Sequence, residues 1–392
     1  MKALRIGKCA AWVFLVLILF TLRPVSVQAG MTPYGIDGEA QAQVREQLDA
    51  LGRSELMGWV PPEARGYLED ARLHDMSLES LTQLTPGRFF PALWQMFVDA
   101  LVRPIRTLAA MLAIVLLCAL LETLRTAAWE NTLSSVFQTV SVLSILTFIA
   151  HPILDLIIGT TATIREAALF MMGFIPMLSA AMISAGQPVT GATYSLFLMG
   201  ACQLVAQVVA QTLIPMMSIY LALCICGAFV PELNIEQAAG GIKSAVSWAM
   251  GLLLTIFIAL MSIQGILSGS ADGVTVRATK FLIGNLVPIV GNVLSDGYIA
   301  AQGYLRLLKT TVGVYGIVVA LFIFLPTLIR VTVWYMITKL VAMVGDIAGA
   351  GRVSVILRSC SNVLGLLISA LLCFALLFIV STGIIMLTSL GV

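Results

Sequence analysis

The sequence predicts an all-α polytopic membrane protein. Of its 392 residues, 59% are hydrophobic and only 11% are charged, and the mean hydropathy is +1.01. One soluble core cannot bury that much apolar surface, so long segments must face lipid. The apolar stretches have helical length, and we expect about 8–10 transmembrane or re-entrant helices. Crossings are predicted near 107–121, 133–158, 167–185, 192–211, 213–230, 244–269, 311–329, 331–344 and 363–390.

Parts of the membrane region recur at a nearly constant spacing. The tripeptide Thr163-Ile164-Arg165 is answered about 112 residues later by Thr275-Val276-Arg277. Pro176 and Pro288 keep the same offset. This pattern predicts two tandem parallel repeats, at about 133–243 and 244–361, because similar bundles that meet at an interface are a common way to build a passage. Chance matches in apolar sequence are the alternative.

The N-terminus has the features of a signal peptide. Three basic residues precede an apolar run at 10–22, and the small-residue tripeptide Val27-Gln28-Ala29 follows. The run is shorter than the ~20 residues that a membrane span needs. We therefore predict a signal peptide at 1–29, with the chain after Ala29 outside the cytoplasm. An uncleaved anchor helix is the alternative.

Residues 30–106 are predicted to form an extracytoplasmic helical region. An amphipathic helix follows Thr85-Pro86, which is a typical N-cap with proline at the first helical position. Its apolar face includes Trp94 and Phe97 and is flanked by arginines, which is typical of a helix that lies in the membrane interface. Packing of that helix on the rest of this region is the alternative. The polytopic membrane domain then occupies 107–392.

Several functions are disfavoured by what the sequence lacks. The net charge of +2 and the absence of a basic run argue against binding to nucleic acid. No G-x-x-x-x-G-K-[ST] loop is present to cradle nucleotide phosphates. Two histidines and no C-x-x-C pair predict neither a metal site nor a redox pair. We expect a protein that is not an enzyme, has no cofactor and has lipid as its surroundings.

Polar residues inside the predicted crossings are candidate functional groups. Gln203, Gln207 and Gln211 recur every four residues and so share one helix face. Amides in a bilayer need partners, which leaves two interpretations open. The face either packs against other helices, at about 1 kcal/mol per contact, or lines a hydrated path. Three more amides belong to the same category: Gln264, Asn285 and Asn292.

The segment at 281–294 is a candidate for a broken or re-entrant element. At about 14 residues it is short for a crossing. It contains Gly284, Pro288 and Gly291, and Pro176 is the counterpart of Pro288 in the first repeat. Freed backbone groups at such breaks are tolerated where protein or water satisfies them. Plain kinked helices are the alternative.

The most specific motif follows Gln264-Gly265. It contains the stretch Asp272-Gly273-Val274-Thr275-Val276-Arg277, followed by Lys280-Phe281, Gly284-Asn285 and Pro288. In this motif the chain resembles the stage III sporulation protein AE family of endospore-forming bacteria. The resemblance covers nearly the whole chain, because a signal peptide, a polar extracytoplasmic segment and a membrane domain follow in the same order.

The resemblance implies a subunit of the transenvelope channel, or feeding tube, that joins the mother cell to the engulfed forespore and sustains late forespore gene expression. The implied location is the mother-cell membrane around the forespore. The implied partners are the other membrane and ring proteins of the same operon and a separate cytoplasmic ATPase. On this basis we expect a membrane conduit. A scaffold that anchors the rings and ATPase, or an independent secondary transporter of a small solute, are the alternatives.

Overall fold

The structure is a computed structural model that describes residues 56, 58–70, 86–128, 131–229, 235–286 and 291–388. Within these residues every regular element is a helix. The predicted signal peptide and Pro288 lie outside the described residues. The elements in chain order are α1 Pro62–Asp70, α2 Pro86–Ala128, α3 Asn131–Ser184, α4 Pro188–Val208, a π-helical turn Val209–Leu213, α5 Ile214–Phe229, α6 Ile235–Leu286, α7 Gly291–Ile347 and α8 Gly351–Thr388.

Five stretches of the described chain are long and apolar enough to cross a membrane, which agrees with an all-helical membrane protein but is fewer than the 8–10 transmembrane or re-entrant helices predicted. They are Val142–Ser184, Pro188–Gly227, Gln237–Thr279, Leu308–Ile347 and Val353–Met386. A sixth is formed by α2 if its two arms, Trp94–Val102 and Pro104–Leu120, count as one span bent by 42°. Proline accounts for that bend, because Pro104 donates no backbone hydrogen bond.

The structure joins segments that the sequence pattern separates into two crossings. The predicted crossings at 133–158 and 167–185 both lie within α3, and those at 311–329 and 331–344 both lie within α7. Charged residues such as Arg165 and Arg330 divide the hydropathy pattern at these places. They do not interrupt the backbone hydrogen bonds of a helix, so the helix continues through them. The two predicted repeats meet inside α6.

Tight turns fold the long helices back on each other. Gly186 (φ 80°) lies between α3 and α4, and Gly349 (φ 84°) lies between α7 and α8. Both occupy the left-handed conformation that favours glycine after a helix C-terminus. The turn at Gly186 is closed by the N–H of Gln187, which donates to the carbonyl of Met182 at 3.0 Å. These turns make two antiparallel helical hairpins.

The centre of the bundle lies where α3, α7 and α8 meet. Phe174 of α3 stacks on Phe170, with ring centroids 5.6 Å apart, and packs on Phe378 of α8 at 5.4 Å. Gly316 of α7 lies against the Phe174 ring so closely that an added Cβ atom would be 2.1 Å from it. α8 is the most enclosed helix, since 78% of its most apolar stretch is buried, against 22% for α6.

Candidate functional site

A buried carboxylate holds the turn between α3 and α4. Asp272 of α6 is 2% exposed, and its two oxygens accept hydrogen bonds from the backbone N–H groups of Val189 (3.0 Å) and Thr190 (2.8 Å). The N-cap residue of α4, Gln187, makes no side-chain cap of its own. Free N–H groups at a helix start carry positive partial charge, so a carboxylate satisfies them well. Asp272 therefore caps α4 from another helix.

A buried lysine, with charge opposite to that of Asp272, binds the same turn. Lys309 of α7 is 1% exposed, and its Nζ donates to the side-chain oxygen of Gln187 at 2.6 Å and to the carbonyl of Ile385 at 3.0 Å. The lysine thus links α7, the α3–α4 turn and α8. Charge-assisted hydrogen bonds of this kind are stronger than neutral ones. Four helices and one turn meet through Asp272 and Lys309.

Buried hydroxyl groups complete this region. Thr190 and Tyr194 lie one turn apart on α4, and the hydroxyl of Tyr194 faces Ser381 and Thr382 of α8. Among the described residues, the hydroxyl of Thr190 has no hydrogen-bond partner, and the hydroxyls of Tyr194 and Thr382 lie near each other without the geometry of a full hydrogen bond. Buried polar groups without a protein partner are commonly satisfied by ordered water. We call these residues the polar cluster: Gln187, Thr190, Tyr194, Asp272, Lys309 and Thr382.

Of the predicted motif residues whose side chains the structure describes, Asp272 alone points into the polar cluster. Gly273 follows it on α6, and Thr275 is exposed with its hydroxyl bound to the carbonyl of Ala271 at 3.1 Å. Arg277 is exposed, and Phe281 is 67% exposed. Lys280 continues the α6 backbone. The motif therefore contains a buried residue, Asp272, that caps α4, followed on α6 by the exposed residues Thr275, Arg277 and Phe281.

The predicted glutamine face lies on the outside of the single chain. Gln203 and Gln207 belong to α4, Gln211 belongs to the π-helical turn, and all three are exposed. The amide nitrogen of Gln207 lies 3.4 Å from the amide oxygen of Gln211, so these two side chains contact each other. π-Helical turns inside α-helices often mark functional sites. We call Gln203, Gln207 and Gln211 the glutamine face.

The other predicted candidates lie on α3, α6 and α7. Gln264 of α6 donates to Thr193 of α4 at 3.3 Å, while its own amide oxygen is buried without a partner among the described residues. Pro176 lies within the uninterrupted helix α3. Gly284 and Asn285 lie near the C-terminal end of α6, and Gly291 and Asn292 are the first two residues of α7.

Sequence reasoning did not select Lys309, Gln187 or Tyr194 for the candidate site. A single lysine beside an apolar stretch is usually one whose ammonium group reaches the membrane surface, and Lys309 follows that pattern in sequence. Its burial depends on helices that pack only in the folded chain. In the described part of the chain, no group of three histidine, cysteine or acidic side chains could hold a metal ion.

Comparison with known proteins gives two matches to one family. The family model for "Stage III sporulation protein AE" matches residues 73–389. A protein named "Stage III sporulation protein AE" from Bacillus subtilis (strain 168) is 26% identical over 335 residues, which cover 85% of this chain and 82% of that protein. No solved structure matches the chain.

Proposed function

We propose that this chain, which belongs to the stage III sporulation protein AE family, is an integral membrane subunit of the channel complex between mother cell and forespore. In this proposal the chain carries a cleaved signal peptide and lies in the mother-cell membrane around the forespore. It works with ring proteins and a separate cytoplasmic ATPase, and it has no catalytic activity of its own. The family membership and the membrane helices support a sporulation role in a membrane.

The single observation that supports a conduit is the position of the glutamine face. Gln203, Gln207 and Gln211 are exposed on the outer surface of α4 and the π-helical turn, within the apolar stretch Pro188–Gly227. An amide that faces hydrocarbon without a partner is costly. The Gln207–Gln211 contact satisfies only part of the hydrogen-bonding capacity of the two side chains. In the proposed complex the glutamine face therefore borders water in a passage between subunits.

Cysteine accessibility in the assembled complex tests this proposal. Gln203→Cys, Gln207→Cys and Gln211→Cys, each in a chain without native cysteines, are treated in sporulating-cell membranes with a small water-soluble thiol reagent. The control is Ile263→Cys on α6, which is 57% exposed in the chain but lies away from the glutamine face. We expect all three glutamine positions to react and the control to stay protected.

Two other outcomes contradict the conduit. Protection of all four cysteines would mean that another subunit packs on the glutamine face, which is the scaffold alternative. A second outcome combines two experiments. If the cysteines at the glutamine positions react, but a separate strain with the Gln→Leu triple variant sporulates normally, the face is hydrated and has no part in passage. Normal sporulation after deletion of the neighbouring ATPase gene would remove the proposed partnership.

A further inference from the structure

The membrane helices are about twice as long as a bilayer is thick. Val142–Ser184 and Gln237–Thr279 each contain 43 residues, and Leu308–Ile347 contains 40. At 1.5 Å per residue they extend roughly 60–65 Å. The hydrocarbon core of a bilayer is only ~30 Å thick, and tilts of membrane helices average ~20°. One bilayer cannot cover the whole length of these helices.

Hydrogen bonds between helices show which residues lie at the same level of the bundle. At one end, Asp272 and Lys309 meet the α3–α4 turn near Gln187. Farther along, the hydroxyls of Thr163 in α3 and Thr327 in α7 lie 2.8 Å apart in the interior. Lys309 and Thr327 are separated by roughly 27 Å along α7, which matches the thickness of a hydrocarbon core.

The part of the bundle between these two levels carries no charged side chain along the five helices. We call it the charge-free half, and its residues are 167–184, 188–207, 252–271, 310–329 and 366–384. Its exposed side chains include large apolar ones such as Leu169, Leu196 and Ile266, which are 50%, 79% and 68% exposed. Large apolar side chains such as Ile158 and Met336 are exposed on the rest of the bundle too, so it is the absence of charge over this height that fits a surface for lipid.

The other part of the bundle has charges on its outer surface midway along its length. We call it the charged half, and its residues are 142–166, 208–227, 237–251, 330–347 and 353–365. His151 and Asp155 of α3 form a pair at 3.1 Å with side chains 82% and 64% exposed. Lys339 of α7 is exposed and donates to the Tyr335 hydroxyl at 2.9 Å. Charges inside a bilayer almost always face a protein interior or water, not lipid.

The segment that leads into the short helix α1 lies against the charge-free half, about two helical turns from its boundary with the charged half. Trp59, just before α1, packs so closely on Gly173 of α3 that an added Cβ atom would be 2.7 Å from the indole ring. Glu63 and Arg65 of α1 follow. Tryptophan with charged neighbours is typical of the boundary between hydrocarbon and water.

From these observations we infer that the bilayer surrounds only the charge-free half, and that the charged half stands outside the hydrocarbon as a helical extension on one side of the membrane. Lipid acyl chains contact the outer surface of the charge-free half. In this arrangement each of the five helices crosses the membrane once, and Arg165 and Arg330 lie at the headgroup level. The inference rests on charge and length. It places Gln211 outside the hydrocarbon and Gln207 at its edge, so in this arrangement reaction at Gln203 is the part of the cysteine test that reports on a passage through the bilayer.

Matched cysteine pairs test the position of the bilayer. Trp248→Cys and Ile266→Cys lie on α6, and both native side chains are 68% exposed. Leu154→Cys and Leu169→Cys lie on α3, and both native side chains are 50% exposed. Each cysteine is introduced into the full chain with its native cysteines replaced, reconstituted in phosphatidylcholine vesicles and treated with a membrane-impermeant maleimide on both sides. We expect modification at 154 and 248 at least tenfold faster than at 169 and 266, and similar rates after solubilisation in detergent.

The native chain provides a second measurement that needs no substitution in the bundle surface. Cys226 is exposed near the far end of α5, in the charged half. We expect it to react with the same maleimide in vesicles. Equal protection of Cys226 and all four introduced cysteines would overturn the inference, because lipid would then cover both halves. Faster reaction at 169 and 266 than at 154 and 248 would also overturn it, because the two halves would be exchanged.

Discussion

Asp272 and Gln207 are both polar residues within long apolar helices, yet the chain surrounds them in different ways. Asp272 is 2% exposed and binds two backbone N–H groups of another helix. Gln207 lies on the outer surface and contacts another exposed glutamine, Gln211. The hydrogen bonds of the Asp272 carboxylate are thus made within one chain, whereas the hydrogen-bonding capacity of the glutamine face is completed only by water or a second protein. The first arrangement stabilises the fold, and the second is available for function.

The largest loss of stability is expected when the cap of α4 is removed. Asp272→Ala leaves the N–H group of Thr190 buried without an acceptor and removes the acceptor of the partly buried N–H group of Val189. A buried donor without an acceptor costs about 1–3 kcal/mol. We expect the free energy of unfolding to fall by about 3 kcal/mol, measured by chemical denaturation in detergent micelles. Asp155→Ala is the control, because Asp155 is a carboxylate of α3 with a side chain 64% exposed.

A conservative change at the same position separates the cap from the charge. Asp272→Asn keeps one oxygen that accepts from Val189 or Thr190 but places an amide N–H₂ near the other donor. We expect a loss between that of Asp272→Ala and zero. If Asp272→Ala costs no more than Asp155→Ala, the carboxylate does not hold the α3–α4 turn.

The next largest effect is expected at the lysine. Lys309→Met retains most of the apolar stem and removes the bonds to Gln187 and to the carbonyl of Ile385. Hydrogen bonds to charged groups contribute about 1.5–3 kcal/mol, and the partner oxygens are left buried. We expect a loss of about 2 kcal/mol in the same denaturation assay. Lys339→Met, at an exposed lysine on the same helix, is expected to change stability by less than about 0.5 kcal/mol.

The sequence predicted the class of fold because composition and apolar length depend on neither packing nor connectivity. It also located Asp272 through the family motif. It did not predict that the helices continue through Arg165 and Arg330, because hydropathy falls at a charge while the backbone hydrogen bonds remain. The burial of Lys309 was also beyond prediction, since Gln187 and Ile385 are about 122 and 76 residues away in the chain.

The predicted repeats stay a prediction. Thr163 lies at the boundary between the two halves of the bundle and bonds Thr327, whereas its counterpart Thr275 is exposed beyond the polar cluster. Equivalent sequence positions therefore have different surroundings. Similarity between two sequence segments reflects a shared origin or a coincidence. It does not determine which residues pack around each segment in the folded chain.

A small effect is expected at the bond between Thr163 and Thr327. Their hydroxyls lie 2.8 Å apart in the interior, and the hydroxyl of Thr163 also lies 3.0 Å from the carbonyl of Gly159. Hydrogen bonds between membrane helices average about 0.6 kcal/mol. A double-mutant cycle with Thr163→Val and Thr327→Val should give a coupling of about that size. A coupling near zero would mean that the bond to Gly159 already satisfies Thr163.

The smallest effect on stability, with the largest effect on function, is expected at the glutamine face. Replacing Gln203, Gln207 and Gln211 together by leucine removes the exposed Gln207–Gln211 contact, and all three side chains are exposed on the outer surface. We expect the free energy of unfolding of the isolated chain to change by less than about 0.5 kcal/mol. In sporulating cells the same variant should reach the membrane in normal amount and fail to support late forespore gene expression.

The matched variant replaces the exposed apolar residues Leu196 and Leu204 of α4 by valine and should behave as wild type in both measurements. A triple variant that loses stability as Asp272→Ala does would place the glutamine face with the polar cluster as part of the fold, and the contrast between the two regions would then be lost.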